Sequence, residues 1–188
     1  MGAYRSPVVL TISDLEATPD DGNRYELIDG ELYVSTAPSA FHQSVLMNLG
    51  AFLWNFLREN PLGAVYPGIG VIFDDHNAVV PDLVYASKGR LRDSLACGRL
   101  TGAPEIVIEI LSPGSSNEKR DRHIKLNLYA ARGVDEYWIL DPENRRVEIH
   151  RRSADGTLDL RVGLREDDQL TSPVLPGFGV RVDELFGQ

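Results

Sequence analysis

The chain has 188 residues, 43% hydrophobic and 25% charged, which fits one soluble globular domain spanning residues 1–188 with a real hydrophobic core. A formal charge of −9 argues against a protein that coats nucleic acid by electrostatics alone, although an acidic metal site would add to that count. The single cysteine, Cys97, excludes an internal disulfide and a cysteine-based zinc site and suits a reducing cytoplasm. The start of the chain has no leader-like pattern, and no segment approaches the ~20 apolar residues of a membrane span, so a cytoplasmic protein is expected.

In chain order, Ser13 to Ala17 has a capping-box pattern, with Ser13 as cap and Glu16 three residues on. Asp29-Gly30 between two strand-like runs, Arg24–Ile28 and Glu31–Ser35, predicts a two-residue hairpin, with Glu31 at the turn exit as a solvated flank. Helical periodicity covers Ser39 to Asn60 and places His42 on the apolar stripe of the first turn, where a structural histidine is the ordinary outcome. Gly68-Ile69-Gly70 lacks the third glycine of a dinucleotide fingerprint. Val71–Phe73 and Ala78–Ala86 read as strands joined by a solvated turn at Asp74–Asn77. Ser87 to Gly102 reads as a surface excursion or short helix. Ile106–Leu111 is apolar enough to be a central strand, and a helix from about Asn117 to Ala131 stops at Gly133. Tyr137–Leu140 is a buried strand, Val147–His150 and Leu158–Leu164 alternate as strands, and a Pro/Gly-punctuated tail, Pro173–Gly179, leads to a last turn at Val182–Phe186. There is no internal repeat and no interdomain linker.

Chemistry concentrates between Val79 and Tyr129. Glu109 is the only charge in an apolar run, Asp82 follows Pro81 within a strand, and Asp121 and Lys125 are neighbours on the next helix. Buried charge is costly unless paired or bound to a metal. Magnesium takes oxygen ligands, commonly one or two carboxylates with water and phosphate. Asp82, Glu109 and a backbone carbonyl such as that of Ile110 could supply that set, with Lys125 orienting the water or countering charge on the phosphate. An ordinary intrahelical pair remains the alternative for Asp121 and Lys125.

The order Pro-Asp, then a glutamate in an apolar strand, then a lysine resembles the PD-(D/E)XK nuclease superfamily, and more closely the Uma-type family of restriction-endonuclease domains. The resemblance covers nearly the whole chain: Tyr25–Glu31, His42, Val80–Val84, Ile108–Pro113, Asp121, Lys125, Tyr129, Gly133-Val134, Glu136–Trp138 and Leu175–Gly177. It implies an α/β (α+β) fold with a restriction-endonuclease-like core, a central mixed sheet flanked by helices, with added β-hairpins. It also implies a Mg2+- or Mn2+-dependent endonuclease acting on DNA, with Asp82 and Glu109 as metal ligands and Lys125 catalytic. Where the superfamily usually has its lysine this chain has Leu111, and the Uma-type lysine comes instead from the following helix. Glu31 and His42 match recurrent family positions and are expected in the cleft as a further ligand or a phosphate contact. Family habit and the strand-rich C-terminal part suggest a homodimer. Basic residues at Lys119–Lys125 and at Arg145, Arg146, Arg151 and Arg152 offer patches for a phosphate backbone. Two rivals stay open: a non-catalytic module that keeps the nuclease fold, and a nuclease for RNA or nucleotides.

Overall fold

Asp29 and Gly30 take φ of 50° and 76°, which turns the chain within two residues. The flanking runs pair as the sequence predicts: β1 (Arg24–Ile28) is antiparallel to β2 (Glu31–Ser35), with Ile28 opposite Glu31. The computed structural model describes residues 8–112 and 114–187. Before the hairpin, α1 (Ile12–Glu16) starts earlier than expected. Thr11, not Ser13, is its cap, and the Asp14 carboxylate, not that of Glu16, accepts from the Thr11 amide and hydroxyl. The same Thr-x-x-acid logic simply applies two residues upstream.

Helix α2 (Ala40–Glu59) matches its predicted span. Ser39 caps it by accepting from the His42 amide, and Val45, Leu49, Leu53 and Leu57 form the buried stripe at four-residue spacing. After β3 (Gly63–Pro67) and β4 (Val71–Asp74), the strand expected over Ala78–Ala86 divides into β5 (Asn77–Val79) and β6 (Leu83–Ser87). Proline has no amide hydrogen to give a ladder and restricts the residue before it, so the chain steps at Val80-Pro81-Asp82 from one sheet to another. Asp82 therefore sits in the step, not inside a strand. The charged excursion after β6 folds as α3 (Lys88–Ser94), β7 (Leu95–Ala96) and β8 (Arg99–Thr101).

The predicted central strand is β9 (Ile106–Ile110), buried at every position. The helix beyond it has three parts: α4 (Ser115–Lys119), a π-helical turn (Arg120–Lys125) and α5 (Leu126–Arg132), closed by Gly133 at φ 90°. Next come β10 (Glu136–Asp141), β11 (Arg146–Arg152) and β12 (Leu158–Leu164). The C-terminal part is more regular than its prolines and glycines suggest: β13 (Gln169–Ser172) and β14 (Leu175–Arg181) form a hairpin before α6 (Val182–Phe186).

The larger mixed sheet runs β12-β11-β10-β9-β6-β3, and a second six-stranded sheet runs β2-β1-β5-β4-β8-β7. Within the first sheet only β9 and β10 are parallel, and the helical connection between them supplies the crossover that parallel strands need. Alternation on β9 decides what lies where. Ile106, Ile108 and Ile110 pack with the α2 stripe, Trp138 and Leu140, and the β13–β14 hairpin. Val107 packs with Leu128, Tyr129, Tyr137 and Ile139 on the opposite face, towards α5 and the second sheet. Glu109 shares the parity of Val107, so its carboxylate enters the α5 side. The fold is thus α+β, with mixed sheets, flanking helices and added hairpins. Among the described residues no helix is long and apolar enough to cross a membrane.

Candidate active site

Four elements deliver carboxylates to one small cleft: β1 carries Glu26, the β5–β6 step carries Asp82, β9 carries Glu109 and the π-helical turn carries Asp121. All are buried, as is Lys125 among them, with 1% of its surface exposed. The cleft holds about 40 Å³, room for a few waters or an ion but not a nucleotide.

Lys125 is the electrostatic centre. Its Nζ lies 2.9 Å from Glu109 Oε1, 3.0 Å from Glu26 Oε1 and 3.8 Å from Asp121 Oδ1. Burial alone would lower its pKa, but the carboxylates of Glu109, Glu26 and Asp121 outweigh that and hold it above the ordinary lysine value. The π-helical turn helps to aim this group. At ~3.6 residues per turn, residues 121 and 129 of a regular α-helix would diverge by roughly 80°. A wider π turn reduces that divergence, and such turns recur at functional sites. Asp121, Lys125 and Tyr129 are all buried, and the Tyr129 hydroxyl donates to Glu109 Oε1 at 2.8 Å.

Asp82 is held differently. Its Oδ2 accepts from the Ile110 amide at 2.9 Å and meets His42 Nε2 at 3.1 Å, while Arg24 Nη1 stands 3.1 Å from Oδ1. Burial alone would raise Asp82, yet the hydrogen bonds from His42 and Ile110 and the charge of Arg24 prevail and hold it at about 2. Glu109 goes the other way. Burial pushes it up to about 8, with Lys125 opposing and the carboxylates of Asp82, Asp121 and Glu26 adding to the rise. Burial also raises Asp121, against Lys125 and Arg120. The Glu26 carboxylate accepts in addition from the Val80 amide at 2.9 Å, which ties β1 to the sheet-crossing step.

Of the residues the sequence points to, Asp82, Glu109, Ile110, Asp121, Lys125 and His42 all line this cleft. Glu31 does not line it: it is exposed on β2 and accepts from the Tyr33 hydroxyl. Alternation explains this, since Glu31 lies at the turn exit and Glu26 is the hairpin carboxylate that turns inward. Glu26 was missed as a site residue, because the polar Arg24-Tyr25 before it made the run read as a half-exposed strand. Arg24 was missed too, and Arg120 was seen only as part of a basic run. Other basic residues of that run and the later hairpin are committed internally. Arg122 bonds Asp141, Arg151 bonds Glu136, and Arg152 donates to the carbonyls of Val134 and Ala130.

The donor set can be tested against a metal. Among the described residues no group of three or more His, Cys, Asp or Glu side chains is arranged to hold an ion, which argues against a zinc-type cage. Asp82 and Glu109, which line one cleft, are oxygen donors of the kind a hard cation takes alongside waters and phosphate.

Comparison with solved structures finds the same fold in a chain from Anabaena variabilis ATCC 29413, described as the crystal structure of a putative nuclease belonging to DUF820. The match has a TM-score of 0.75 at 19% identity and covers 94% of this chain and 97% of that one. No curated protein matches the sequence. Residues 12–183 match the family model Uma2, "Putative restriction endonuclease". The chain belongs to the Uma2 family.

Proposed function

We propose that the protein is a Mg2+- or Mn2+-dependent phosphodiesterase of nuclease type that hydrolyses DNA. The observation that carries this reading is Lys125, buried and within 2.9 Å of Glu109, in a cleft that also holds Asp82. Asp82 and Glu109, with the Ile110 carbonyl, would hold the cation, which when bound supplies Lewis acidity to the phosphate and a more acidic water. Lys125 places a fixed cation where negative charge gathers on the phosphate. Tyr129 holds the Glu109 carboxylate and Glu26 holds the Lys125 ammonium, so neither needs to reorganise during reaction. His42 and the Ile110 amide orient Asp82 and keep it ionised. The family's printed description and the neighbour's both name nucleases, which supports the same reading.

Manganese titration by calorimetry tests the ligand assignment. The wild type is expected to bind Mn2+, and Asp82→Asn and Glu109→Gln are each expected to weaken binding at least about tenfold. Equal binding in both variants would remove Asp82 and Glu109 from the site. No binding in any of the three would favour the non-catalytic module, a reading consistent with the three contacts that the Asp82 carboxylate already makes within the protein.

A further inference from the structure

The cleft opens onto two larger grooves, and an arginine stands at each junction. A groove of about 480 Å³ shares Arg24 with the cleft, and one of about 420 Å³ shares Arg120 with it. The first is floored by Val71, Ile72 and Val79 and reaches Tyr25 and Arg99; the second is lined mainly by polar residues, among them Thr36, Ser39, Ser112 and Asn117. Each arginine is anchored at one side of its fork. Arg24 Nη1 donates to the Val80 carbonyl and to Asp82, both at 3.1 Å; Arg120 donates through Nε to Asp121 at 3.2 Å and through Nη1 to Ser35 Oγ at 2.8 Å. A guanidinium has five N–H donors, and Nη2 of neither residue bonds another described residue.

We propose that the two grooves form the path of an unpaired polynucleotide strand, which crosses the cleft with Arg24 and Arg120 holding the phosphates on either side of the scissile one. The inference rests on the nuclease reading for what the cleft does, but its own content is binding. Guanidinium forks match phosphate oxygens, and forks already anchored by carboxylates lose little freedom when they engage. Each groove has the volume of a small-molecule site, enough for a base, whereas the cleft between them has no room for one. Reacting groups buried to 4% exposure or less are out of reach of a stiff duplex surface and within reach of a strand threaded over them. A free nucleotide would fill one groove and leave the other.

The test is binding, read separately from cleavage. Fluorescence anisotropy in calcium buffer would compare a labelled twelve-nucleotide oligothymidylate with a dinucleotide competitor for wild type, Arg24→Gln and Arg120→Gln. The wild type is expected to prefer the oligomer by at least about a hundredfold. Each variant is expected to lose about tenfold in affinity and about 0.7 in the slope of log affinity against log salt. Wild type that ignores the oligomer, a dinucleotide that competes equally, or two variants with unchanged affinity and slope would overturn the path. Should a variant melt early, wild type alone decides by photo-crosslinking of a 4-thiothymidine oligomer. Label near both Tyr25 and Thr36 is expected, and label confined to one groove or lying elsewhere overturns the proposal. A protein that cleaves nothing yet binds this way keeps the path and loses the nuclease reading; cleavage with both arginines silent does the reverse.

Discussion

Asp82 and Glu109 occupy one cleft in opposite electrostatic states, about 2 and about 8, because Asp82 is given an arginine, a histidine and a backbone amide while at Glu109 burial and the neighbouring acids outweigh Lys125. Carboxylates pushed apart in this way recur where groups take separate roles. Lys125 is the residue on which the balance depends. Replacing it with Met should abolish cleavage and, by leaving Glu26, Glu109 and Asp121 without their shared cation, destabilise the fold by about 3–5 kcal/mol. Urea unfolding at neutral pH measures that loss, and a variant as stable as the wild type would show that the carboxylates do not depend on the lysine. The two hairpin acids offer a sharper contrast. Glu26→Gln should impair cleavage about tenfold or more, whereas Glu31→Gln should leave the rate within about twofold, since Glu31 is exposed and lies outside the cleft. Parallel rate measurements decide it, and the reverse order would return Glu31 to the site. Asp82 and Glu109 were legible in the sequence because a charge in an apolar run is anomalous on its face. Glu26 was not, because Arg24-Tyr25-Glu26 alternates like a solvated strand until the partner that covers it is known.

Among the elements, those governed by local signals were read closely. The Asp-Gly hairpin and α2 carry their own turn, cap and periodicity, and they form with nearly the predicted bounds. The misreadings arose where tertiary structure overrides a local pattern. One apolar run became β5 and β6 because its halves join different sheets, and that break is what presents Asp82 to the cleft. The tail became β13 and β14 although Pro176, Gly177 and Gly179 interrupt its pattern, because Leu175, Phe178 and Val180 still reach the core against α2 and α6. The π-helical turn has no signal in periodicity at all, since its extra width is visible only through the partners of Asp121 and Lys125. Helix α2 owes its position to its buried stripe, so Leu49→Ala, at a fully buried site facing β9, should cost about 2–5 kcal/mol. Denaturant melting checks this, and a loss below about 1 kcal/mol would mean that the site collapses around the smaller side chain.

At the scale of the whole molecule, stability should depend on pH through His150 of β11, buried beside the ring of Tyr137. Burial lowers its pKa from the ordinary value, with Glu148 and the Leu158 backbone opposing and Arg122 adding to the fall. A histidine depressed in the fold contributes stability that is present above the unfolded value near 6.5 and is lost as pH falls through the lower folded value. The raised Glu109 carboxyl works in the opposite direction, so the difference between proteins is the readout: below about pH 6.5 wild type should lose stability relative to His150→Phe, and parallel curves would contradict the assignment. The sheet crossing, the helical connection and the hairpin together bring acids from four separate segments to one cleft, three of them to Lys125, and that convergence is the reason for reading a nuclease here. The most direct measurement is cleavage of plasmid, single-stranded DNA and RNA, with magnesium, manganese or EDTA, by wild type beside Glu109→Gln. DNA cleavage that requires the metal and disappears in a folded Glu109→Gln protein is the predicted result. Equal cleavage by the variant, or cleavage that persists in EDTA, would contradict it.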